Sequence, residues 1–150
     1  MGGHAMAEEK HLYRTSIRWE SQRRGLQSSP GLPDLGVATP PQFPGGHPGI
    51  WSPEHLFVAA AEACLMTTFL AIAENSRLEF VQYSSEAEGT LEKTDQGFMI
   101  TEIVIRPKVT LKELALAERA RRIVEKAEQN CLISKSMKTR VILEPQIVAP

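Results

Sequence analysis

The chain is predicted to be an α+β protein in which antiparallel sheet supports one long buried central helix and one half-exposed helix. Three observations predict it. A nearly unbroken apolar run follows a Ser-Pro-Glu helix opening at residues 52–54. Two stretches rich in β-formers flank a KTDQG turn signal at residues 93–97. A charged stretch at residues 113–130 carries an apolar stripe at helical spacing. Size and composition agree, because 150 residues with 42% hydrophobic and 23% charged side chains can bury one ordinary globular core. A net charge of −1 gives no electrostatic reason to expect nucleic acid as a partner.

Taken in order, residues 1–6 (MGGHAM) read as an expression scar, which leaves a single domain over residues 7–150. Residues 12–19 (LYRTSIRW) alternate roughly and read as a strand; the polar bend ESQRRG then leads into a second short extended segment. Residues 29–53 hold seven of the ten prolines, at 30, 33, 40, 41, 44, 48 and 53. That density forbids regular helix and predicts an extended, ordered loop across the surface. Ser52 as N-cap, Pro53 at the first helical position and Glu54 in the first turn open a long helix. Apolar residues cover nearly every side of it over 56–73, so burial all round is expected. Residues 79–91 and 98–110 read as a hairpin, 113–130 as a helix, and 138–147 as a last strand.

No membrane span is expected, because Glu62, Thr67 and Thr68 interrupt the apolar run at 56–73. No basic segment leads into an apolar one near the N-terminus, so a signal peptide is not expected either. Two cysteines without a secretory signal point to the reducing cytoplasm, where a disulfide is more often catalytic than structural.

The chemistry of the chain rests on those two cysteines, Cys64 and Cys131, 67 residues apart. On local sequence they are either inert core thiols or a redox couple assembled by the fold. Cys64 lies well inside its helix, so a thiolate there needs a cation from elsewhere; Arg23 and Arg24 are the candidates by context. His47, His55, Cys64 and Cys131 lack metal-ligand spacing, so no metal site is expected. Glu62 is the single charge in its apolar stretch, and Trp19 and Trp51 read as packing residues.

SPEHLFVAAAEAC, with Glu54 and Cys64 ten positions apart, resembles the signature of the OsmC/Ohr family of thiol-dependent peroxidases. LEKTDQGFMITEIVI is similar to the hairpin of its OsmC branch, AEQNCLISKSM to its second-cysteine segment, and QRRG followed by TPPQFPGG to its arginine-bearing loop. The resemblance covers nearly the whole chain after residue 6. It implies an OsmC-like fold, an intertwined homodimer, and reduction of organic hydroperoxides, with hydrogen peroxide as the alternative substrate. Cys64 takes the place of the peroxidatic cysteine, which becomes a sulfenic acid, and Cys131 that of the resolving cysteine, which closes a disulfide. Arg23 (or Arg24) takes the place of the arginine that holds thiolate and peroxide, and Glu54 of the carboxylate that orients it. Trp51, Phe57, Leu65 and Met66 are the expected walls of the substrate pocket. No cofactor is implied beyond an external dithiol reductant, a lipoyl protein or another thiol donor. The competing reading is a non-catalytic dimer of the same fold that binds a small molecule or serves a structural role.

Two details sharpen the expectation. Ten residues of straight helix span about 15 Å, so Glu54 cannot touch the Cys64 of its own helix. A site that uses both needs a bridging arginine or a second subunit. Leu132 stands where the family usually has proline, and Ser52 replaces the usual asparagine or threonine cap.

Overall fold

The computed structural model describes residues 9–150; the scar expected at residues 1–6 lies outside them. The chain forms two compact units, one ending at Pro53 and the other spanning Glu54–Pro150.

The first unit is built on an antiparallel three-stranded sheet, β1 (Ser16–Ser21), β2 (Arg24–Ser28) and β3 (Leu35–Ala38), in that order. β1 begins four residues later than the alternation at 12–19 suggests, because its ladder with β2 starts at the Ser16–Ser28 pair. β3 corrects the expectation of a continuous loop over 29–53. Residues 34–39 are free of proline, so their N–H groups can join a ladder, and Gly25 pairs with Val37 there. The prolines that follow shape turns instead. Phe43 N–H donates to the Pro40 carbonyl at 3.1 Å, and Gly46 N–H to that of Phe43 at 3.0 Å. Trp51 then returns alongside Val37, its carbonyl accepting from Ala38 N–H at 2.9 Å.

The second unit opens with α1 (Pro53–Asn75), followed by the hairpin of β4 (Gln82–Thr94) and β5 (Gly97–Thr110). Asp95 and Gln96 form the turn, and Thr94 Oγ1 closes it by accepting from Gln96 N–H at 3.1 Å. A 3₁₀ turn at Leu114–Leu116 leads into α2 (Ala117–Gln129) and the one-turn α3 (Leu132–Lys135). Two short strands, β6 (Arg140–Leu143) and β7 (Gln146–Val148), complete the unit. Both lie parallel to β5, which corrects the purely antiparallel expectation. The helical crossover carries the chain back across the sheet, so it re-enters in the direction of β5. The single strand expected over 138–147 is thus two. The ladder breaks at Glu144-Pro145, where Pro145 has no N–H to donate.

Ala61, Leu65, Phe69 and Ala73 recur every fourth residue and form the buried stripe of α1. They share one core with Ile103, Ile105 and Val109 of β5, and with Ala120, Ile123, Val124 and Ala127 of α2. Phe69 anchors it, its ring centroid 5.3 Å from Phe80 and 4.9 Å from Tyr83. Gly89 lets α1 approach β4 closely, since a Cβ there would stand 2.5 Å from Val58 Cγ2. Burial of α1 is confined to this stripe within one chain: Ala60, Ala63, Met66 and Leu70 are exposed. Over its full length α1 is apolar enough to cross a bilayer by composition alone, despite Glu62, Thr67 and Thr68. In this fold its stripe packs on protein, and the Glu62 carboxylate accepts a 2.5 Å hydrogen bond from Ser85 Oγ. Phe69→Ala is expected to cost about 3–5 kcal/mol of stability, read from urea unfolding; a loss below about 1 kcal/mol would contradict this packing.

Candidate functional site

Cys64 and Cys131 meet within the second unit, and the chain positions them by different means. Cys64 sits mid-way along α1, one residue from the core side chain Leu65, so helix packing fixes its place. Cys131 sits at the junction of α2 and α3. Asn130 ends α2, its N–H shared between the Lys126 and Ala127 carbonyls and its side-chain amide donating to Lys126 O at 2.8 Å. Cys131 then takes an extended conformation and caps α3, with Lys135 N–H donating to its carbonyl at 3.1 Å. Its side chain is completely buried, whereas that of Cys64 is half-buried. Both are free thiols.

The two thiols differ in acidity. Partial burial pushes Cys64 up, but four donors outweigh it: Ile133 N–H, the Cys131 thiol, the Thr68 hydroxyl and Leu132 N–H. The net result is a thiol held below its ordinary value, because each donor favours the thiolate. Thr68 lies one helical turn beyond Cys64, its Oγ1 3.9 Å from the sulfur. Burial pushes Cys131 up; Ser134, through its hydroxyl and N–H, opposes the rise, and neighbouring Cys64 adds to it. Cys131 therefore keeps the proton and offers it to Cys64. One sulfur is poised as nucleophile and the other as its protonated neighbour.

The remaining expected site residues are each placed by their own element. Arg23 occupies the β1–β2 turn and lies so close to Gly45 that a Cβ there would stand 2.8 Å from its Nε. Gly45 also needs its φ of +77°, so both space and backbone require glycine. Arg24 instead heads β2, opposite Ala38. Glu54 lies in the first turn of α1, and its Oε1 is buried with no hydrogen-bond partner among the described residues. Leu65 is fully buried in the core, so it packs and does not wall an open pocket; Phe57 is half-buried against the same core. Met66 and Trp51 are exposed, Met66 on α1 and Trp51 beside β3.

Residues 46–145 match the family model of OsmC-like proteins. The chain belongs to that family. It is 28% identical over 138 residues to the uncharacterized protein YmaD of Bacillus subtilis, covering 89% of this chain and 91% of the relative. It is 27% identical over 143 residues to organic hydroperoxide resistance protein-like 2 of Staphylococcus epidermidis, covering 92% of this chain and 96% of the relative. An OsmC-like protein of unknown function from Vibrio cholerae superposes with a TM-score of 0.83 over 91% of this chain and 99% of its own, at 24% identity. The α+β fold is thus an OsmC-like fold.

Thr68 of this OsmC-like site escapes a reading by motif. It stands four residues after Cys64 on the same helix. Helical spacing was the available signal for it. Thr68→Val removes one donor to Cys64, so carbamidomethylation of Cys64 by iodoacetamide at neutral pH is expected to slow by about 2- to 10-fold. An unchanged rate would remove Thr68 from the site.

Proposed function

We propose that this OsmC-like protein is a thiol-dependent peroxidase that reduces organic hydroperoxides in the cytoplasm. The observation that carries the reading is the asymmetric thiol pair: a Cys64 held towards thiolate beside a Cys131 held as thiol. The Cys64 thiolate attacks the terminal peroxide oxygen, the O–O bond breaks, and an alcohol leaves once protonated, with Cys64 left as sulfenic acid. Cys131 then attacks the Cys64 sulfur, forming the disulfide and releasing water. An external dithiol, a lipoyl protein or another thiol donor, returns both cysteines to thiols by exchange. Apolar neighbours of Cys64, among them exposed Met66, favour an alkyl hydroperoxide over hydrogen peroxide.

The site is proposed to be composite between two copies of the chain. Arg23 would hold thiolate and peroxide, and Glu54 would orient its guanidinium. Glu54 lies ten residues from Cys64 along one continuous helix, about 15 Å, and its Oε1 lacks a partner among the described residues. Exposed Met66 and Leu70 on α1 offer apolar surface that a homodimer would cover. Mixing Cys64→Ser with Glu54→Ala protein after subunit exchange should restore part of the lost activity. No recovery would count against the composite site.

The function is tested on reduced protein treated with one equivalent of an alkyl hydroperoxide. Mass spectrometry should show the loss of two hydrogens and a Cys64–Cys131 peptide link. In Cys131→Ser it should show a dimedone adduct of the trapped sulfenic acid on Cys64. If peroxide is not consumed and neither product forms, the protein is a non-catalytic member of the family.

A further inference from the structure

The loop that follows β3 closes against the turn that carries Arg23. Main-chain hydrogen bonds make the closure: His47 N–H donates to the Thr39 carbonyl at 2.9 Å, and Thr39 N–H to the Arg23 carbonyl at 3.2 Å. Trp19 pins the same turn, its indole N–H donating to the Gln22 carbonyl at 2.9 Å. Gln22 itself has a φ of +51°, in the left-handed region that non-glycine residues rarely enter. Turn and loop are thus joined through backbone, and the Arg23 side chain reaches across to Gly45. A Cβ on Gly45 would stand 2.8 Å from Arg23 Nε, 3.1 Å from Cδ and 3.5 Å from Cγ. Three successive atoms of the stem therefore rest on the bare α-carbon. Gly46 is glycine for another reason, because a Cβ there would meet the Pro40 carbonyl of its own loop. Gly49 shares the left-handed φ of Gly45, at +78° against +77°, yet nothing lies within 4 Å of where its Cβ would be. Of these three glycines, only Gly45 meets a side chain. No carboxylate among the described residues pairs with the Arg23 guanidinium, whereas its stem has a defined rest.

We propose that Gly45 positions Arg23: its missing side chain leaves a seat for the arginine stem, and the loop over residues 39–47 holds that seat in place. The proposal rests on the peroxidase reading, in which Arg23 holds thiolate and peroxide. An exposed, unbraced arginine samples many rotamers, and ordering it costs entropy when substrate binds. A stem already resting on Gly45 has lost part of that freedom before peroxide arrives. A side chain at position 45 would displace the stem rather than the loop. The contact is with a flexible side chain, whose torsions yield more readily than a loop closed by backbone hydrogen bonds. Gly45 supplies no reactive group and acts through Arg23, as a positioning residue rather than a catalytic one.

The test compares two glycines of one segment. Gly45→Ala, Gly49→Ala, Gly45→Asn and Arg23→Ala are made in Cys131→Ser protein, where the sulfenic acid of Cys64 persists. Its formation with an alkyl hydroperoxide is followed by dimedone trapping and mass spectrometry, and stability by urea unfolding. Alanine carries the same left-handed backbone penalty at both glycines, so the two alanine variants should lose stability alike. Only Gly45→Ala should slow sulfenic acid formation, by about 10- to 100-fold. Gly45→Asn should be nearly as slow, because asparagine tolerates the left-handed backbone but still brings a Cβ against the stem. Added to Arg23→Ala, Gly45→Ala should slow the reaction no further, as expected of two residues that act as one. Equal slowing by Gly45→Ala and Gly49→Ala, an undiminished rate in Gly45→Asn or in Arg23→Ala, or an additive effect of the pair overturns the positioning role. If the parent protein forms no sulfenic acid at all, the peroxidase reading itself falls and the proposal with it.

Discussion

The hydrogen bonding of one sulfur is the constraint on which the site depends. A half-buried thiol loses solvation of its thiolate, so Cys64 becomes acidic only where donors replace water. Those donors come from its own helix, through Thr68, and from the α2–α3 junction, through Cys131 and the N–H groups of Leu132 and Ile133. The junction presents free N–H groups because α2 ends and α3 starts within two residues, and N–H groups in the first turn of a helix have no intrahelical partner. The packing of α1 and α2 into one core brings the two halves together.

Leu132 gains meaning in this light. Proline at that position would present no N–H, whereas Leu132 supplies one of the donors to Cys64. The resolving cysteine remains protonated in a fully buried position.

Much of this was legible in the sequence. Ser52-Pro53-Glu54 marked the start of α1 at the observed residue, and KTDQG marked the hairpin turn. The parallel return of β6 and β7 was not legible, because strand direction depends on where the crossover helices pack and not on local pattern. β3 was hidden by counting prolines over the whole segment instead of noting the proline-free window at 34–39. The exposure of one face of α1 was also invisible, since an all-round apolar helix reads as buried whether its own chain or another covers it. Within the site, the motifs named both cysteines but not their acidities. Those arise from N–H groups, which every residue except proline carries and no motif records.

The most direct measurement is a pH titration of thiolate absorbance in the reduced protein, with Cys64→Ser and Cys131→Ser assigning the two transitions. Cys64 is expected to ionise below the ordinary cysteine value of about 8.5 and Cys131 above it. Ionisation of both near the ordinary value, or in the reverse order, would contradict it.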